Sequence, residues 1–432
     1  MPGPIATLVL LRRPLDLLAA LATEGELAEL RIGPVRALVV CDPELTQQLL
    51  RDDRTFDKGG IIFDQIREAV GNGLATCPHA DHRRRRRLVQ PALHRSRLPE
   101  YASIISDEFD RLTAGWAEGE RLDVVAEMTA SITNTLAAAM FAGRLEKERL
   151  DHMRADTRTV MAAIARRAFL PRAINRLPIP ANRRFDRANA RLRGELAALV
   201  AAGRYDDHDH DDLLSALLRP PPGEDAALTD TELTDELVTF FMGGVDTTGN
   251  TLAWSLHLLA SRPEAQQRLH DEVDSVLGGR AAHHADLPAL PWTHAVIKET
   301  LRLYPPGWLL TRTTTADSVL GKHHIPAGTT IAYSPYLLHH RADLYPDPDT
   351  FDPERSHTRG AYIPFGGGAR KCPGEDFALT QAVIALATIT ARWQLLPDPA
   401  AHVRPYPNLA LTPHGLYLYA SRRSHGSNTF TQ

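Results

Sequence analysis

Cysteine is scarce: Cys41, Cys77 and Cys372 are the only three in 432 residues, too few for a disulfide framework, so a reducing, cytoplasmic setting is expected and each thiol needs its own account. An excess of one charge is also missing. Basic residues number 49 and acidic residues 53, a net charge of -4, which gives nucleic acid or an anionic membrane no global attraction. The apolar run near the start, Ile5 to Leu11, stops at Arg12, Arg13 and Pro14, far short of the roughly 20 residues of a membrane span, and no basic stretch precedes it as in a secretory signal. Gly/Ser-rich linkers and internal repeats are absent. What is present is 43% hydrophobic residues, enough for a large core, so disorder and fibres are excluded. One catalytic unit over residues 1–420 is expected, followed by a disordered polar tail over 421–432.

Periodicity divides this unit. Leu27 to Ile32 and Val35 to Val40, joined by Gly33-Pro34, predict a hairpin. Residues 98–218 are rich in Ala, Leu and Arg at helical spacing, broken at Leu177-Pro178-Ile179-Pro180 and at the polar stretch Tyr205 to Asp212. Pro220, Pro221, Pro222 and Gly223 close that region. Thr229, three residues before Glu232, predicts a capping box opening a helix of roughly 30 residues, about 45 Å long. Ser261 with Glu264 repeats the pattern, and further helices are expected over Trp292 to Tyr304 and Gly374 to Trp393. The fold class is mainly α with minor β.

One segment carries chemistry: Phe365, Gly366, Gly367, Gly368, Arg370, Cys372 and Gly374, where a cysteine closes a glycine loop at the start of an apolar helix. A lone cysteine is more often a small buried hydrophobe. Here the helix N-terminus, Arg370 and Lys371 all favour a thiolate, and consecutive glycines let backbone approach a flat partner. A thiolate ligand to haem iron needs both features. In spacing, Phe365, Gly368, Arg370, Cys372 and Gly374 resemble the haem-binding signature of the cytochromes P-450, the haem-thiolate monooxygenases. The resemblance implies a haem b cofactor between a long central helix and the cysteine helix, Cys372 as its metal ligand, Phe365 beside the sulfur and Arg370 near a propionate.

Other motifs extend the resemblance over residues 82–374. Gly243 and Gly244 stand in mid-helix at a cost of roughly 2 kcal/mol relative to alanine. Either another helix packs close there, with Thr247 and Thr248 bonding back to their own turn, or the missing side chains make room for dioxygen. Gly243-Gly244-Val245-Asp246-Thr247-Thr248 resembles the family's acid-alcohol element, which implies that Thr247 and Asp246 relay protons. Glu299 and Arg302, three apart on a helix, read by themselves as a surface ion pair worth under about 1 kcal/mol. They match the family's Glu-x-x-Arg element, and Arg355 lies in the segment that joins it, which implies a structural network. His82 and Arg86, four apart, resemble the propionate-binding helix, and Arg312 a further propionate partner. Gly71-Asn-Gly73 lacks the third glycine of a dinucleotide site. Asp206 to Asp212 with His208 and His210 lacks the glycine of a calcium loop.

The resemblance implies insertion of one oxygen atom from O2 into an unactivated bond. With no reductase motif attached, the electrons come from a separate ferredoxin and an NAD(P)H-dependent ferredoxin reductase. The resemblance implies a pocket lined by roughly Lys58 to Cys77, Ala168 to Arg184, Phe240 to Thr247, Pro306 to Thr311 and Asn408 to Leu416, in which Phe63, Phe240, Phe241, Gly243, Trp308 and Leu309 suggest an apolar small-molecule substrate without buried charge. Phe56 to Gly60 and Gly71 to His79 are similar to actinobacterial members that act on terpenoids or polyketides. A peroxide-driven peroxygenase and a haem-based gas sensor or carrier are the alternatives.

Overall fold

In the computed structural model, which describes residues 13–32, 35–168, 170, 172–206, 210–219 and 227–423, helices and short strands alternate first: α1 (Pro14–Leu21), β1 (Leu27–Ile32), β2 (Val35–Val40), α2 (Pro43–Arg51), β3 (Phe56–Lys58), α3 (Ile61–Val70) and α4 (His79–Val89). A helical stretch follows, comprising α5 (Leu98–Gly115), the short strand β4 (Arg121–Asp123), α6 (Val124–Phe141), α7 (Lys147–Ala168), α8 (Arg172–Asn175), α9 (Pro180–Arg204) and α10 (Leu213–Leu218). Next come α11 (Asp230–Ala260), α12 (Pro263–Leu277) and α13 (Pro291–Leu303). The chain then forms β5 (Leu310–Thr314), β6 (Ser318–Leu320), β7 (His323–Ile325), β8 (Thr330–Tyr333), α14 (Pro335–His339), α15 (Glu375–Arg392), β9 (Trp393–Pro397), β10 (Arg404–Pro407), β11 (Leu411–His414) and β12 (Tyr417–Arg422). The fold is mainly α with minor β.

The capping box at Thr229 forms. Thr229 Oγ1 accepts the Glu232 N–H at 3.2 Å and Glu232 Oε2 accepts the Thr229 N–H at 2.9 Å, which satisfies two of the donors a helix start leaves open. The box expected at Ser261 does not. Ser261 Oγ donates back to His257 O at 2.9 Å, Arg262 is the N-cap without a side-chain bond, and Pro263 starts the helix; proline at the first position has its φ preset and no N–H to satisfy.

Helix α11 runs 31 residues and touches two of the three cores. Its C-terminal half packs with α5, α13 and α15 around Leu252, Leu256 and Ile384. The N-terminal half packs with α6, α7 and α9 around Leu237, Phe241 and Leu196. A third core lies under a five-stranded sheet of order β1-β2-β8-β5-β3. In that sheet β2 and β8 are parallel and the other pairs antiparallel. The α6 helix is long and apolar enough to cross a membrane by length and composition, yet most of it is buried inside the fold. The polar tail was expected from 421, but β12 runs through Arg422, and Arg423 pairs with Asp274 at 2.6 Å. Residues 424–432, the Gly33-Pro34 turn, Pro220 to Gly223 and His208 lie outside the described residues.

Candidate active site

Backbone geometry explains the glycine loop before any ligand is considered. Gly366 and Gly368 have φ of 72° and 63°, the left-handed region that side chains rarely adopt. At Gly368 a Cβ would meet Leu50 O at 2.0 Å, whereas at Gly366 it would meet nothing within 4 Å: one glycine lets the loop press on α2, the other faces open space. The Cys372 N–H then donates to Phe365 O at 3.0 Å, folding the loop so that Phe365, Gly366, Cys372 and Gly374 line one internal cavity.

The opposite wall is α11. Gly243, Gly244, Asp246 and Thr247 face the same cavity, whose volume is about 440 Å³. The two glycines divide the readings left open for them. A Cβ on Gly244 would meet Leu136 of α6 at 3.0 Å, while one on Gly243 would meet nothing. The first permits helix packing and the second leaves room. Thr247 Oγ1 donates to Gly243 O at 2.8 Å, and Thr251 and Ser255 repeat that bond one turn further along each time. Burial pushes the Asp246 carboxyl above its ordinary range, with Arg158 pulling the other way.

The expected thiolate environment needs correcting. Burial raises the Cys372 thiol, outweighing the Gly374 N–H, Arg86 and Lys371, which favour the charged form. Arg370 does not reach the sulfur: Nε donates to Asp53 at 2.9 Å, Nη2 to Asp57 at 2.7 Å and Nη1 to the Cys77 carbonyl at 2.8 Å. Lys371 pairs with Glu375. A thiol in this setting ionises when a cation binds the sulfur.

On one side of the cavity stand His82 and Arg86, both in its wall. Burial and the charge of Arg370 push His82 down to about 4, so it is neutral and can give an anion a hydrogen bond but no charge. Arg86 donates to Lys371 O at 2.5 Å and Gln90 Oε1 at 3.1 Å. Arg312 is buried with Nε and Nη1 lacking any partner.

The pocket residues separate. Phe63, Phe240, Gly243 and Leu309 line the cavity. Phe241 turns into the α6/α9 core with no exposed surface, and Trp308 packs on the sheet core and donates to Asn408 O at 2.7 Å. The lining is not wholly apolar, because Lys58 projects into the cavity. Lys58 falls in a segment expected to line the pocket; Leu136, Met161 and Ile164 do not, and sequence reasoning missed them.

The loop Gly71 to Cys77 closes part of the wall through Leu74 and Ala75. It is pinned to α11: the Asn72 N–H donates to Asp235 at 2.8 Å and the Leu74 N–H to Glu236 at 2.9 Å. Arg193 of α9 also reaches Asp235, at 2.5 Å, and Arg85 of α4 reaches Glu236 at 3.0 Å. Gly71 and Gly73 are required there, since a Cβ would lie 2.0 Å from Asp235 Oδ1 or 2.1 Å from Thr239 Oγ1.

Away from the cavity, Glu299 and Arg302 are 1% and 0% exposed, which overturns a surface reading. Two bonds of 2.8 and 2.9 Å join them. Arg302 also donates to the carbonyls of His339, Pro348 and Thr350, and Arg355 lies 3.5 Å from Glu299. Among the described residues no group of three or more His, Cys, Asp or Glu is placed to hold a metal.

A sequence model of the cytochrome P-450 family matches residues 7–419. The chain belongs to that family. As a cytochrome P-450 monooxygenase it takes haem as its cofactor, and the cavity fits one: a thiol faces a glycine pair across it, Gly366 leaves the loop bare, and the guanidinium groups of Arg86 and Arg370 stand in its wall. The chain is 43% identical over 402 residues to cyclooctat-9-en-7-ol 5-monooxygenase of Streptomyces melanosporofaciens, covering 91% of this chain and 87% of that one. It is 41% identical over 404 residues to pentalenene oxygenase of Streptomyces avermitilis, covering 92% and 90%. The crystal structure of a cytochrome P-450 haem domain superposes with a TM-score of 0.88 over 98% of both chains at 24% identity, which shows the shared fold.

Proposed function

We propose that this P-450 is a cytoplasmic terpenoid-tailoring oxygenase: it inserts one atom of O2 into a C–H or C=C bond of a cyclic, apolar substrate and releases the other as water. The observation that carries the reading is the single cavity in which Cys372 and the Gly243–Thr247 segment face each other under an apolar wall. The relatives' names supply the substrate class, since proteins 41–43% identical to this chain are named cyclooctat-9-en-7-ol 5-monooxygenase, pentalenene oxygenase and cyclooctatin synthase. Two electrons come from a separate ferredoxin and its reductase, and two protons complete the water.

Cys372 would hold the iron, His82, Arg86 and Arg312 the propionates, and Phe365 would pack beside the sulfur. A thiolate-bound haem supplies the electron push for O–O cleavage. The chain supplies the protons. Asp246, raised by burial, keeps a proton to higher pH than an ordinary aspartate and passes it on to Thr247. The Thr247 hydroxyl rests on Gly243 O and must rotate off that carbonyl to deliver it. The Glu299, Arg302 and Arg355 network supports the core without touching substrate.

Two measurements test this. Cyclic C15 and C20 hydrocarbons or alcohols should perturb the haem spectrum at far lower concentrations than fatty acids or small aromatics; tight binding of only the latter would refute the substrate class. Thr247→Ala should keep oxygen consumption while product per electron pair falls roughly tenfold or more, the size of a lost acid-base relay. Unchanged coupling would favour the peroxide-driven alternative, which requires no proton delivery.

A further inference from the structure

Two basic side chains, Lys58 in the cavity wall and Arg312 opposite it on the next strand, stand together with no carboxylate between them. In the β3–β5 ladder Lys58 stands directly opposite Arg312, and residues opposite one another in an antiparallel pair project from the same face. Asp57, one position earlier, projects from the other face and is held by Arg370, as is Asp53. Alternation has therefore taken the nearest carboxylates away. The Lys58 ammonium instead sits 4.3 Å over the ring of Phe63, while Arg312 Nε and Nη1 have no partner. Like charges directly opposite destabilise a sheet, and buried charge without a partner costs more. Burial, with Arg312 and Arg370 adding to it, pushes the Lys58 ammonium well below its ordinary range, and an anion placed between the two side chains would restore its charge and give Arg312 a partner.

We propose that Lys58, in the cavity wall, and Arg312, opposite it across the strand pair, form one carboxylate-binding site, with Lys58 as a basic residue that none of the family motifs contains. Arg312 offers a fixed planar fork. Lys58 offers a point charge on a flexible stem, parked on Phe63 until the anion arrives. The inference rests on the haem-monooxygenase reading. Two sources bring a carboxylate into this cavity, a haem propionate and an acid group on a bound terpenoid, and we commit to the site and let experiment name the source.

Holoproteins of wild type, Lys58→Met and Lys58→Arg are compared; methionine keeps the length of the stem over Phe63. The first readout is haem transfer to excess apomyoglobin. Lys58→Met should lose haem roughly tenfold faster, the scale of one charge-assisted hydrogen bond, and Lys58→Arg should restore retention. With the dimethyl ester of haem, whose propionates carry no charge, the proteins should behave alike. That result names the propionate. A faster loss that persists with the ester is general loosening and overturns the site.

The second readout is spectral titration with abietic acid and with abietol, its alcohol. Equal haem retention with roughly tenfold weaker binding of the acid alone in Lys58→Met names the substrate. Equal retention and equal acid binding overturn the proposal. The carbon monoxide spectrum, recorded on every variant, separates the failures: its absence in wild type condemns the thiolate reading, whereas the Lys58 comparison reads only differences between variants.

Discussion

Cys372→Ser, purified, reduced and exposed to carbon monoxide, should lose the far-red displacement of the Soret band shown by the parent protein, and turnover should fall to background. The environment already presses the sulfur toward its neutral form through burial, against one backbone N–H and two cations. Sulfur can still ionise there when iron binds, because its ordinary pKa is about 8.5 and coordination releases the proton. A serine hydroxyl is a far weaker acid, and the same burial would hold it neutral, leaving a weak ligand without electron push. The substitution is nearly isosteric in a loop shaped by Gly366 and Gly368, so secondary structure should persist. An unaltered carbon monoxide spectrum in the serine protein would defeat the assignment of Cys372.

Arg302→Ala should be the most damaging change outside the cavity. It strands Glu299, 1% exposed, without its main counter-charge, and removing one partner of a buried pair costs about 3–5 kcal/mol. Three carbonyls, those of His339, Pro348 and Thr350, lose a donor as well, each worth about 1 kcal/mol. Against a typical total stability of about 5–15 kcal/mol, little folded protein should survive at 37 °C. Glu299→Gln keeps the shape but leaves a buried guanidinium short of charge, so it should fall between. Denaturant midpoints on holoprotein measure both, and a loss under 1 kcal/mol for Arg302→Ala would mean the pair behaves as a surface one.

What was legible in the sequence was whatever a single segment encodes. Thr229 and Glu232 cap a helix through neighbours three residues apart, and Cys372 is marked by glycines within its own loop. Phase around a helix was harder. Phe240 and Phe241 look equivalent in the chain, but a step of one residue turns about 100°, so one lines the cavity and the other fills a core. Partners brought from far away in the chain were not legible at all. Nothing local announces that Asp53 and Asp57 come to Arg370, and the pairing of Lys58 with Arg312 comes only from cross-strand register. Ser261 shows the opposite error, a local pattern present but displaced by the proline two residues on.

The side chains that grip the Gly71 to Cys77 loop bear on how far the chamber can widen. Lifting that segment would strip the Asn72 and Leu74 N–H groups of their carboxyl acceptors together, and since Asp235 also holds α9, loop and helix share one anchor. Any movement of this stretch of the wall is thereby tied to breaking two backbone-to-carboxyl hydrogen bonds together, so the chamber resists widening there by more than side-chain bulk alone.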